Sequence, residues 1–419
     1  MFSHLIFLIL TVLLITFAFA VPPSPWITSM WFTMGWGALI YVALLLLIYW
    51  QGKRFKNARG LIYNLIQLEL LIFLAIFLIP LGGNTLFPQS LTLNALANLL
   101  LYFGGIGVYY YAKAQKEGDS NPQLTASQQI RFILPFVAPF LIFIGLVDLL
   151  DHFPVLTENS WLLWVIELAL LLLTLLLMPP LLVAVWQCEP MENVELKNRL
   201  ESLCKKAGFK HGGILDWTLL NRSHTAAILG VLPQWRYLLF TKTLQEELSP
   251  EAVEAVLAHE IGHSQRRHLL YYPFIFLGLV VVTSLYSQWI SPAVESWFSH
   301  SIFYPLALFL PYALILWLYF RYVFGFFSRL FERQADLHCF ELDIHPDHMI
   351  NALDDVARAT GFTHSAPNWH HYSIAERIDF LENAKQNPQF IKKHHRFVNT
   401  ALIVYAAIML FGAYLMEKI

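Results

Sequence analysis

Nine stretches of this 419-residue sequence are apolar over the length a helix needs to cross a bilayer, and no other feature restricts its folding as much. They fall at about 5–21, 34–50, 61–80, 93–112, 130–149, 161–187, 269–290, 302–326 and 398–415. With 57% hydrophobic and 13% charged residues, the chain carries more apolar surface than one water-soluble core could use. The expected fold is therefore mainly α, a multi-pass membrane protein of eight to nine transmembrane helices. The count is open because residues 5–21 also have the length of a signal sequence, with Ala18-Phe19-Ala20 imitating a cleavage site. No Lys or Arg precedes that run, so a retained span is the expectation. Pro179-Pro180 predicts a kink in the sixth run, since proline removes a helix donor and clashes with the preceding turn.

The connections set an orientation. Under strict alternation the segments holding Lys53, Arg54, Lys56 and Arg59, then Lys113, Lys116 and Arg131, then residues 188–268 and 327–397, share one side. The opposite loops, near 22–33, 81–92, 150–160 and 291–301, contain no Lys or Arg, so the positive-inside rule makes the first side cytoplasmic. A net charge of -2 and the absence of a basic face argue against a nucleic-acid partner. Cys188, Cys204 and Cys339 lack CxxC spacing, which argues against both a disulfide framework and a thiolate metal site.

The first cytoplasmic block opens on a helical pattern around residues 192–208, where Val194, Leu196, Leu200 and Leu203 form the apolar stripe. Short β-like runs follow at GGILDW, TAAILG and RYLLFT. Ser249-Pro250-Glu251 then reads as an N-cap, a first-turn proline and a first-turn acid. The helix that starts there carries AVLAHEIGHSQRRH, residues 255–268, and could continue into the seventh span. His259 and His263 stand four apart, so both imidazoles lie on one helix face and can reach one Zn²⁺. Glu260 follows the first histidine, where its carboxylate can take a proton from an attacking water.

Two histidines need at least one further donor. His268, nine after His259, falls on the opposite side of a continuing helix and is set aside. The segment SRLFERQADLHCFEL after the eighth run offers Glu332 and Asp336 four apart on one helix face. One of these carboxylates can bind zinc while the other accepts the second ring N–H of a ligand histidine. Inside the spans, Asn64, Gln67, Glu69, Asn94, Asn98 and Glu167 are costly in lipid and should face the bundle interior or a wet cavity.

The pieces HEIGH, SRLFERQAD and HYSIAERI, with the lead-in from Ser223 to Glu260, resemble the membrane metallopeptidases that include the type I CaaX prenyl endopeptidase and the heat-shock-induced bacterial membrane protease. The resemblance covers most of residues 223–383 and implies a cytoplasmic α+β gluzincin zinc-peptidase domain, split by a transmembrane hairpin. It implies one Zn²⁺ per chain held by His259, His263 and Glu332, with Asp336 in support and Glu260 as general base. It also places His371 and Arg377 at the active site as cationic donors, with His370 an alternative to His371. Thr225, Ala226 and Ala227 match the family's substrate-pairing strand, Thr225 standing where many members have asparagine. The implied domains are a membrane region at 1–187, catalytic parts at 188–268 and 327–397, a hairpin at 269–326 and a last span at 398–419. The implied activity is an endopeptidase acting on peptide or membrane-protein substrates at the bilayer. The alternative is a catalytically inactive zinc-containing scaffold.

Overall fold

The computed structural model describes residues 2–20, 29–55, 60–150, 160–220, 223–298, 301, 303–360 and 371–417. The chain divides into two compact units, one of residues 1–178 and 298–310, the other of 179–297 and 311–419.

The first unit is helical. It contains α1 (Phe2–Ala20), α2 (Met30–Arg54), α3 (Leu61–Leu78), α4 (Leu91–Lys116), α5 (Pro122–Ile133), α6 (Ala138–Leu150) and most of α7 (Ser160–Val185). Caps set several starts: the Ser90 side chain accepts from Leu93 N ahead of α4, and Asn121 does the same for Leu124 N ahead of α5, which opens on Pro122. Among the described residues seven helices of the chain are long and apolar enough to cross a membrane, and Phe7–Phe19 forms a shorter apolar one. The pair Pro122–Phe136 and Ala138–Leu150 has the length and composition of an eighth but is bent by 53° at a break next to Pro135, where the expected fifth span is a single run. At the other proline pair α7 continues as one helix through Pro179 and Pro180, and the division between the units falls between 178 and 179.

Polar residues of this bundle turn inward. Gln51 Nε2 donates to Glu69 Oε1 at 2.7 Å, and Tyr102 OH donates to Gln67 Oε1 at 2.6 Å. Asn94 and Asn98 are buried and donate to the backbone oxygens of Phe87 and Asn94, the latter one turn back along α4. These bonds tie helices together or cap carbonyls locally, as hydrogen bonds between membrane helices do. The side chain of Glu167 lies outside the described residues.

The second unit contains a four-stranded sheet of β1 (Glu189–Pro190), β2 (Gly213–Asp216), β3 (Ala226–Leu229) and β4 (Tyr237–Phe240), in the order β1-β2-β4-β3. β2 and β4 are parallel, while β1 and β3 run antiparallel to their neighbours, which leaves β3 on an edge. Helix α8 (Val194–Lys206) buries Leu196, Leu200 and Leu203 with Ile214 and Leu238 of the strands. Val194, in its first turn, faces solvent at 66% exposure, so the apolar stripe starts one residue pair later than its pattern suggested. After α9 (Lys242–Glu247) comes α10 (Pro250–Gln265), whose Val253, Leu257 and Ile261 complete the same core.

Helix α10 does not run into the next span. Arg267 adopts φ 59°, a left-handed conformation costly for a residue with a Cβ, and a new helix, α11 (His268–Leu285), starts there. A π turn at Tyr286–Ile290 joins it to α12 (Ser291–Phe298). The return helix α13 (Tyr304–Leu318) passes through a second π turn, Tyr319–Phe324, into α14 (Gly325–Asp336). Short α15 (His338–Glu341), α16 (Pro346–Thr360), α17 (Ile374–Gln386) and α18 (Pro388–Glu417) complete the chain. Tyr319 and Tyr405 both reach Ile275 O and so clip α11 to the second π turn and to α18, and Gly278 leaves room for them: a Cβ there would lie 1.8 Å from Tyr405 OH.

Candidate metal centre

Two helices cross closely enough to bring HEIGH and ERQAD together. Helix α10 is started by Ser249, whose side chain accepts from Ala252 N, and is tied to α8 by Arg199, paired with Glu251 and Glu254 at 2.8 Å each. Gly262 is where α10 meets α14 and α15: a Cβ there would sit 2.8 Å from His338 Cβ and 3.1 Å from Ala335 Cα. The glycine inside HEIGH is thus a packing requirement of the crossing.

Among the described residues, His259, His263 and Glu332 are the one group of three metal-ligating side chains whose donor atoms all lie within 4.8 Å of one another. Their spacing is tighter than that limit. His259 Nε2 and His263 Nε2 are 3.2 Å apart, His259 Nε2 and Glu332 Oε2 3.7 Å, and His263 Nε2 and Glu332 Oε1 3.4 Å. A tetrahedral zinc bound at about 2.0–2.1 Å separates its donors by roughly 3.3 Å, so the triangle has the right size. Its chemistry agrees too. His259 Nδ1 lies 2.9 Å from Asp336 Oδ1, an acceptor, so Nδ1 carries the proton and Nε2 presents its lone pair to the triangle.

Asp336 is itself fixed. Arg377 Nε and Nη2 donate to its two oxygens at 2.9 and 2.6 Å, a bidentate pair, while Arg377 Nη1 stands 3.8 Å from Glu332 Oε2. Burial works against the charge on Arg377, and the Asp336 carboxylate more than restores it, so the guanidinium stays charged. The helix that delivers Arg377, α17, begins with a capping box in which Ser373 accepts from Glu376 N and the Glu376 carboxylate accepts from Ser373 N.

His371 reaches the triangle from the same segment, its Nδ1 3.1 Å from Glu332 Oε2, and is about one-third exposed. His370 lies outside the described residues. Glu260 follows the ligand helix face onto the sheet: its Oε2 accepts from the backbone N of Ile228 at 3.2 Å. Burial raises the Glu260 carboxyl above the ordinary range, against the opposing pull of His259 and His263.

The edge strand β3 therefore runs directly beside Glu260. Thr225 spends its backbone on Thr241, donating to its Oγ1 at 3.2 Å and accepting from its N at 3.1 Å. Because alternate residues of a strand face opposite edges, Thr225 and Ala227 point their backbone groups toward β4, and Ala226 and Ile228 point theirs to the open edge. Ile228 was not singled out in the sequence. The alternation of TAAILG carries that signal only once the partner strand is known. His268 was set aside as a ligand, and it does not join the triangle. The break at Arg267 nevertheless turns it back onto His263, with the two Nδ1 atoms 3.0 Å apart.

Comparison with known proteins bears on this centre. Residues 190–385 match the model of Peptidase family M48. The chain is 27% identical over 276 residues to CAAX prenyl protease 1 of Saccharomyces cerevisiae (strain ATCC 204508 / S288c), a match that takes in 58% of this chain and spans 60% of that relative's length. The fold is similar to the crystal structure of S. mikatae Ste24p, with a TM-score of 0.53 at 18% identity, covering 86% of this chain and 100% of that one. Residues 190–385 of this multi-pass membrane chain are thus similar to Peptidase family M48, which supports a membrane zinc metallopeptidase.

Proposed function

We propose that the chain is a zinc endopeptidase that cuts peptide bonds of membrane-associated or lipid-modified proteins near the cytoplasmic surface. The observation that carries this reading is the juxtaposition, in one unit, of a zinc-sized donor triangle with Glu260, itself hydrogen-bonded to an open strand edge. When bound, a zinc ion supplies Lewis acidity toward the scissile carbonyl and the attacking water. His259, His263 and Glu332 hold it. Glu260 takes the proton from the water and delivers it to the leaving amine, a transfer suited by a carboxyl whose affinity for protons is raised.

An extended peptide adds to the β3 edge through the outward backbone groups of Ala226 and the carbonyl of Ile228, whose N–H is held by Glu260, and this supplies binding with little side-chain selection. His371, the more exposed of the two side chains, donates to the charge that develops on the carbonyl oxygen. Arg377 has two of its three nitrogens engaged by Asp336 and acts by holding that carboxylate on His259. Residues 188–268 and 327–397 serve as the two catalytic parts, 269–326 as the hairpin between them, and 1–187 and 398–419 as further membrane segments. The cytoplasmic placement rests on the Lys and Arg of the segments flanking the site, against their absence from the opposite loops. The relative that bears a prenyl-protease name makes lipidated C-terminal peptides the first substrates to try.

The test is the Glu260→Gln variant, assayed for zinc content and for turnover of model peptides with and without chelator. Retained stoichiometric zinc with turnover reduced by about 10²–10⁴-fold is expected from loss of a general base. Undiminished cleavage would remove Glu260 from the mechanism, and stoichiometric zinc in a wild-type chain that cleaves nothing would favour the scaffold.

A further inference from the structure

We propose that His263 is held in its metal-binding tautomer by a directed hydrogen-bond relay running through His268, Gln334 and His395 to the carboxylate of Glu341. The proposal rests on the zinc reading of the same site. The distances form a continuous path: His263 Nδ1 to His268 Nδ1 3.0 Å, His268 Nε2 to Gln334 Oε1 3.1 Å, Gln334 Nε2 to His395 Nδ1 3.0 Å, and His395 Nε2 to Glu341 Oε1 3.5 Å.

Two nitrogens 3.0 Å apart share one proton, so the question is which ring donates. The Gln334 amide nitrogen faces His395 Nδ1 at 3.0 Å and can only donate, which makes that ring nitrogen an acceptor and puts the His395 proton on Nε2, toward Glu341. Gln334 then donates through Nε2 and accepts through Oε1, so His268 donates from Nε2 and accepts at Nδ1. His263 must therefore donate from Nδ1, and its Nε2 lone pair faces His259 and Glu332. Reversing Gln334 reverses every link and puts a proton on His263 Nε2, where it would block ligation. Only one direction of the relay is compatible with a metal.

Arg266 sits at the far end. It donates to the same Glu341 oxygen and lies 3.2 Å from His395 Nε2, as two donors do around a shared acceptor. His338 Nδ1, 2.9 Å from the other Glu341 oxygen, fixes that carboxylate from the opposite side. The relay is sheltered where it matters. His268 has no exposed surface and stacks on Phe331 with ring centres 4.3 Å apart and planes within 10°, while Gln334 is 4% exposed. The two ligand histidines are thus supported differently, His259 by a carboxylate in direct contact and His263 by one reached through three intervening side chains.

The experiment measures zinc affinity of the full chain in detergent by competition with a chromophoric chelator, alongside thermal unfolding of the metal-free form. His268→Phe keeps the stacking on Phe331 and removes the acceptor. Its zinc affinity is expected to fall about 10–100-fold while metal-free unfolding stays near wild type, since loss of such outer partners has effects of that size. Gln334→Leu should lower affinity several-fold, and Gln334→Glu, which still accepts from His268, should restore it to within about threefold of wild type. If His268→Phe does not fold, the Gln334 pair decides alone. A wild-type chain that takes up no zinc overturns the metal reading and the relay with it. Wild-type binding with His268→Phe or Gln334→Leu affinity unchanged within about twofold overturns the relay and leaves the metal reading intact.

Discussion

The two units bury the same kinds of polar side chain to different ends. In the helical bundle of the first unit, three buried amides use half of their capacity: Gln67 Nε2, Asn94 Oδ1 and Asn98 Oδ1 meet no protein partner among the described residues. In the second unit Gln334 uses both ends, Asp336 accepts from two side chains, and each contact leads toward the donor triangle. Helix association tolerates a half-used amide, because one bond to a neighbouring carbonyl covers most of what lipid would charge for it. A metal centre does not, because a ligand ring with the wrong tautomer is no ligand.

This contrast can be broken by substitution. Asp336→Ala should have the largest effect, since it frees a buried Arg377 and releases His259: a loss of about 3–5 kcal/mol in unfolding free energy is expected, with weakened zinc binding. Denaturation in detergent measures it, and a loss no bigger than that of a bundle amide would erase the distinction. Glu332→Gln should leave the metal-free chain folded but abolish its response to zinc. The wild type should gain about 4 kcal/mol at a free zinc concentration 1,000 times its dissociation constant. An equal rise in Tm for both proteins would show that Glu332 is not a donor.

Ser373→Ala tests a local cap inside the second unit. Loss of the capping box should cost about 1 kcal/mol and shift the delivery of Arg377 and His371 more than the overall fold. Peptide turnover falling further than stability would sharpen the difference between a cap and a converging cluster. Asn98→Leu, in the first unit, should change stability least, by about 0.6 kcal/mol, and leave zinc affinity untouched. A strong loss of affinity in that variant would mean that the bundle amides serve the metal after all.

Much of the centre is legible in local spacing. His259 with His263, and Glu332 with Asp336, are each four apart on a helix, and that alone puts each pair on one face. The β-like runs within residues 188–268 appear as strands at 213–216, 226–229 and 237–240 because β-branched and aromatic residues fill a half-buried pleat. Other features have no local signature. The left-handed Arg267 breaks a pattern that reads as continuous, and with it goes the geometric reason for discarding His268. Arg377 has Asp379 two residues away, yet its partner is Asp336, 41 positions earlier in the chain.

What the sequence by itself determined is whatever depends on periodicity and composition: apolar runs of spanning length, and the two helices that carry the candidate donors on one face each. Hydrophobic burial and helix geometry act over a few residues, so they can be read from a few residues. Only the tertiary structure decided how those groups are oriented: that Asp336 serves His259, that Ile228 presents its amide to Glu260, and that His263 faces the relay ending at Glu341. Hydrogen-bond direction depends on partners far apart in the chain, and the crossing at Gly262 that brings them together becomes visible only when both helices are in place.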